Sequence, residues 1–172
     1  MSEKIIKIKN NNKEINEKLN ELAKRAKNLK PALREIGHIM QHYVSENFET
    51  EGRQSGEKWA DWKDSYKDYR KKINKGNGQI LQLFGELKES IDYKTSNDEV
   101  ILGTDKDYAR IHNEGGFVRK RGGKGLFEMP KREYMKWTPE LEELVADELY
   151  IHLKLQDYID EENARIKFLK GE

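Results

Sequence analysis

The chain of 172 residues is sized for one domain; with 35% apolar and 38% charged residues it predicts a thin core wrapped in helices with solvated faces. Lys and Arg number 33 against 32 Asp and Glu, a formal net charge of +1, which removes any whole-molecule argument for nucleic acid or an anionic membrane as partner. Cysteine is absent, which excludes disulfides, thiolate metal sites and cysteine nucleophiles together.

The first twelve residues interleave charge with isoleucine and lack the apolar stretch of an export signal. Ile5 and Ile8 suit a short edge strand that Asn10–Asn12 would end. Ile15, Leu19, Leu22, Ala26 and Leu29 recur at steps of four and three and predict an amphipathic helix over 13–29. Pro31 suits the first turn of a second helix, whose apolar face is Leu33, Ile36, Met40, Tyr43, Val44 and Phe48; the two helices should pack on something shared.

From Glu49 to Gly78 the periodicity fails, and Trp59, Trp62, Tyr66 and Tyr69 read as aromatic anchors of a long ordered loop with about one helical turn. Ile80–Gly85 is short and apolar, and helix and strand are not separated there by pattern. Leu87–Lys94 and Glu99–Thr104 read as a hairpin around Ser96-Asn97-Asp98. Tyr108–Glu114 reads as a helical turn capped by Gly115-Gly116, after which Phe117-Val118 begins a strand. Arg119–Gly125 reads as a mobile loop, and Leu126–Met129 as extended chain.

Thr138-Pro139-Glu140 has the cap, proline and acid of a helix start, and a last helix is expected over 138–160. Leu141, Leu144, Val145, Leu149, His152, Leu155 and Ile159 form its main stripe. Tyr150, Ile151, Leu153 and Tyr158 lie off it, so the helix calls for a second partner such as another subunit. The expected fold class is α+β: an antiparallel β-sheet packed against N-terminal helices and a long C-terminal helix, one domain over 1–155 with a helical extension over 156–172. No uncharged apolar run approaches the ~18 residues of a membrane helix, and a soluble protein is expected.

Charge is spread unevenly: residues 116–136 carry seven basic and two acidic groups, residues 138–172 four and ten. Such poles suit head-to-tail contacts between copies, and equally suit plain solvated faces. Arg119, Lys120, Arg121 and Lys124 could follow a polyanion, yet the loop has no interleaved aromatics to stack bases. His38 and His42, four apart on one helix, could face a metal, but no third ligand has matching spacing. No nucleophile elbow or phosphate loop occurs, so neither an enzyme nor a cofactor is expected; a small hydrolase is the weakest reading.

Five blocks in order, Phe48-x3-Gly52, Gly56-x-x-Trp59, Ile80-Leu81-x3-Gly85-x-Leu87-x-x-Ser90-Ile91, Val100-Ile101-Leu102-Gly103-Thr104 and Tyr108-Ala109-x-Ile111-His112-x-x-Gly115-Gly116, carry a resemblance. Together they resemble the phage virion morphogenesis family, the tail-completion proteins of phages and prophages including Mu-like ones. The chain departs from the family pattern at Phe84 and across Met129–Tyr134. The resemblance implies a structural subunit of tail completion or head–tail joining, present in the host cytoplasm during assembly and then in the virion. It also implies a homo-oligomeric ring, six-fold by analogy, with tail-tube and head-connector proteins as partners and no membrane. A nucleic-acid-binding accessory protein using residues 119–124 is the alternative. Trp59, Gly85, Gly103, Tyr108, His112, Gly115 and Gly116 are the motif residues, Gly85, Gly115 and Gly116 suiting chain reversals and His112 a turn rather than a base. Arg119, Lys120, Arg121, Lys124, Ile151, Leu153 and Tyr158 are the candidate interface, in which the apolar side chains carry most of the affinity.

Overall fold

Six α-helices and two antiparallel strand pairs follow one another along residues 12–119, 122, 123, 125–154 and 167, the residues described by the computed structural model. The expected class, α+β, is the class observed. The expected strand at Ile5 and Ile8 and the extension over 156–172 lie outside the described residues, apart from the isolated Lys167.

Helix α1 spans Asn12–Ala26 and α2 spans Lys30–Glu49, with Pro31 in the first turn of α2. Along α2, Ala32, Leu33, Ile36, Tyr43, Val44 and Phe48 are buried at helical spacing, which makes this helix the spine of the molecule. The shared support of α1 and α2 is α6, Pro139–Leu153. Thr138 caps α6 by accepting from Leu141 N–H at 3.2 Å, and its hydroxyl meets Tyr43 Oη on α2 at 2.7 Å. At the other end Arg25 Nη1 donates to Leu153 O at 3.4 Å, and His152 Nε2 donates to Asn28 O at 2.9 Å. That imidazole satisfies a carbonyl just past the end of α1. Lys154 turns left-handed at φ +52 and caps α6 after Leu153; the rest of the expected helix, 155–160, lies outside the described residues.

Between α2 and the strands the chain makes a 3-10 turn at Arg53–Ser55, then α3 at Asp64–Lys72 and a short α4 at Glu86–Glu89. Helix α3 corrects the expected loop over 49–78. Its only buried residue is Arg70, so it carries no apolar stripe; it is held by the Arg70 guanidinium lying 4.0 Å over Trp62 and by the stacked Tyr66 and Tyr69 rings. Ile80–Phe84 is neither helix nor strand but a turn.

Strands β1 (Asp92–Thr95) and β2 (Val100–Gly103) pair antiparallel, with Tyr93 opposite Leu102. The hairpin is as expected except that residues 87–89 belong to α4, because Gly85 turns left-handed at φ +83 and drives Leu87 into the core. After α5 (Ala109–Glu114), strands β3 (Gly116–Arg119) and β4 (Leu126–Met129) form a second, separate pair. There are thus two small sheets rather than one. The core gathers Val44 and Phe48 of α2 with Trp59, Ile80, Leu87, Ile91, Ala109 and Tyr134. The larger of these side chains contribute roughly 1.5–3 kcal/mol each on burial, so this cluster, collected from separate segments of the chain, closes the fold.

Candidate functional site

The block Tyr108–Gly116 packs against residues 131–135 through main-chain and side-chain bonds. Arg132 N–H donates to His112 O at 2.9 Å, Tyr134 Oη–H to Ala109 O at 3.1 Å, and Met135 N–H to Asn113 Oδ1 at 3.0 Å. Gly115 takes φ +73, and a Cβ there would lie 2.8 Å from Lys131 N; the close approach of the two segments needs glycine. Gly85 of one sequence block and Tyr108 and His112 of another line one hollow of about 110 Å³. Gly103 ends β2 with open space where a Cβ would go and takes no part in it.

His112 is half-buried, edge-on to Tyr108 at 5.9 Å, and its Nδ1 has no hydrogen-bond partner among the described residues. Burial, and after it the Arg132 charge, hold its pKa below the ordinary value. Burial pushes the Tyr134 hydroxyl up to about 12, keeping it a donor to Ala109 O. Neutral and enclosed, these two groups serve as packing and turn-holding elements.

Among the buried polar residues that escaped the sequence reading are Asn47, Arg132 and Arg70. Asn47 is wholly buried: its Nδ2 donates to Glu133 O at 3.2 Å and Tyr134 O at 3.1 Å, and its Oδ1 accepts from Ser55 Oγ at 3.0 Å. Arg132 donates from Nε to Ala60 O at 2.9 Å and from Nη2 to Asp61 O at 3.3 Å. Arg70 donates from Nε to Lys75 O at 2.8 Å. All three tie irregular backbone to the core, where unpaired carbonyls would be costly. The one available signal was the run Trp59-x-x-Trp62-x3-Tyr66-x-x-Tyr69, which marks an enclosed segment in need of polar ties.

A hollow of about 330 Å³ opens between the α3 segment and β4, lined by Trp62, Tyr66, Tyr69, His112, Phe127 and Arg132. His38 Nε2 meets Tyr93 Oη at 2.9 Å, and His42 Nε2 lies 3.5 Å from Glu46 Oε1, so the two histidines have separate partners. Among the described residues no group of three or more His, Asp or Glu is placed to share a metal, and no helix is long and apolar enough to cross a membrane.

The candidate interface residues divide. Trp59, a motif residue and not one of them, belongs to the core, edge-on to Phe48 at 5.5 Å. Arg119 and Ile151 are exposed, Ile151 at 66%. Leu153 is half-buried, its carbonyl accepting from Arg25 of α1, and is not a free surface. Lys120, Arg121, Lys124 and Tyr158 lie outside the described residues.

The model of the phage virion morphogenesis family matches residues 10–154. The chain is 32% identical over 149 residues to the Mu-like prophage FluMu G protein 2 of Haemophilus influenzae, an alignment covering 87% of this chain and 91% of that protein. Over 62 residues it is 37% identical to the putative capsid assembly protein G of Escherichia phage Mu, which covers 36% of this chain and 40% of that protein. No solved structure matches it.

Proposed function

The chain belongs to the phage virion morphogenesis family, and from that footing we propose that it is a structural subunit that completes the tail or joins it to the head. A role in phage morphogenesis follows from the family itself. The observation that carries the finer reading is the place of the residues by which the chain resembles tail-completion proteins. Trp59, Gly85, Ala109, His112 and Gly115 lie in core packing and chain reversals, while large apolar side chains such as Phe117, Leu126 and Ile151 are left on the surface. Such a chain holds a shape and offers it to neighbours.

The phage Mu relative is named for capsid assembly. The head–tail junction is where capsid assembly and tail completion meet, which favours that position. In this reading the protein forms a closed ring of identical subunits, six by analogy with tail symmetry, between tail-tube and head-connector proteins. It is made in the host cytoplasm and ends in the virion, and no enzymatic step is part of its role.

Gold-labelled antibody against the chain on purified particles tests this. Label at the neck or at one tail end is expected; label spread over the head shell contradicts it.

A further inference from the structure

The β3–β4 pair has two unlike faces. Gly116, Val118, Phe127 and Met129 share the inner one, where Lys63 Nζ lies 4.3 Å over Phe127 and donates to Glu128 O at 3.5 Å. Phe117, Arg119, Leu126 and Glu128 share the outer one, and there Phe117 is 68% and Leu126 63% exposed. Phe117 and Leu126 are diagonal neighbours across the strands, close enough to act as one apolar knob. A two-stranded pair is marginal in water by itself, so covering this knob would also firm the hairpin.

Helix α6 presents a matching surface. Glu140, Leu144, Asp147 and Ile151 follow one another at steps of four, three and four, and all are exposed, as are the flanking Glu143 and Tyr150. Acid and apolar residues therefore alternate along one helix face. The helix carries five acidic residues and no Lys or Arg, whereas residues 116–136 carry seven basic and two acidic.

We propose that the outer face of β3–β4 in one copy docks on this face of α6 in a second copy, with Phe117 and Leu126 against Leu144 and Ile151 and with Arg119 among Glu140, Glu143 and Asp147. The inference deepens the ring reading given above and rests on its self-association. The two patches are different surfaces of one chain, so the contact is head-to-tail, the kind that closes into a ring. Burial of the knob supplies the affinity; the charges supply register and exclude a hairpin-to-hairpin contact.

The test uses two full-length variants, Phe117→Asp with Leu126→Asp, and Leu144→Asp with Ile151→Asp, followed by sedimentation velocity. The wild type associates with rising concentration. Each variant alone loses roughly tenfold or more in association constant. Mixed in equal amounts they form dimers that do not grow, because one retains the helix face and the other the hairpin face. A mixture that stays monomeric, with both variants folded by circular dichroism, overturns the proposal, as does either variant assembling like the wild type. Should a variant unfold, Arg119→Glu weakens association and Asp147→Arg added to it restores association; absence of rescue overturns the proposal. Unchanged self-association of Arg119→Glu, with duplex-DNA binding lost, overturns it in favour of a nucleic-acid partner. Failure of the morphogenesis reading would instead appear as normal particles from a phage lacking the gene, whatever the mixing result.

Discussion

The ring of Tyr93 lies on the backbone of α2 at Gly37, where an added Cβ would fall only 2.7 Å from the ring Cγ and closer still to its edge. The Tyr93 hydroxyl meets His38 Nε2 at 2.9 Å, so two successive residues of α2 receive one aromatic side chain. This contact seats the β1–β2 hairpin on the helix.

Two opposed effects decide what Gly37→Ala does. Alanine favours a helix interior by about 1 kcal/mol over glycine. Overpacking against the ring typically costs about 1–3 kcal/mol. The variant is expected to be less stable in urea unfolding, and the loss should shrink when Tyr93→Ala is added, since the two residues act through one contact. Stabilisation by Gly37→Ala would show that the ring moves aside freely.

Asn47→Ala leaves Glu133 O, Tyr134 O and Ser55 Oγ without the partner they share in the core. Ser55 Oγ can still donate to Gly52 O at 3.1 Å, so the two carbonyls are the orphaned groups, and at on the order of 1–3 kcal/mol each a loss of about 3 kcal/mol is expected after partial rehydration. Asn47→Asp replaces the donating amide with a carboxylate facing two carbonyls and should be at least as damaging. Thermal unfolding measures both.

The fold was legible where a period or a cap is written into the residues. Helix α2 shows Leu33, Ile36, Val44 and Phe48 on one stripe behind Pro31, and α6 opens on the Thr138-Pro139 cap. Helix α3 was not legible, because cation–π and ring stacking hold it and only Arg70 is buried. Nor was the burial of Arg132 and Tyr134, since Lys131-Arg132-Glu133 has the charge pattern of a surface segment. On α6 the helical stripe misjudged individual residues: Leu144, placed on the main stripe, is 43% exposed, and Leu153, placed off it, is half-buried beside Arg25. Which side of a helix is covered depends on its neighbours, here α1, and one helix's own period does not contain them.

His112 makes stability depend on pH. Burial, with the Arg132 charge second, keeps its folded pKa below the ordinary 6.5. Below that pH the unfolded chain takes up a proton that the folded chain refuses, so this contribution is complete above pH 6.5 and is lost as pH falls towards the depressed folded value. His112→Gln should flatten the acid side of the stability curve below pH 6.5 relative to wild type. Equal slopes for the two proteins would show that the imidazole is protonated in the folded state.

The role in tail completion or head–tail joining is tested most directly by electron microscopy of particles from a phage deleted for this gene, with the gene supplied in trans as control. The account predicts finished but separate heads and tails, or tails of uncontrolled length, restored to joined virions by the wild-type chain. Intact, joined virions from the deletion would contradict it.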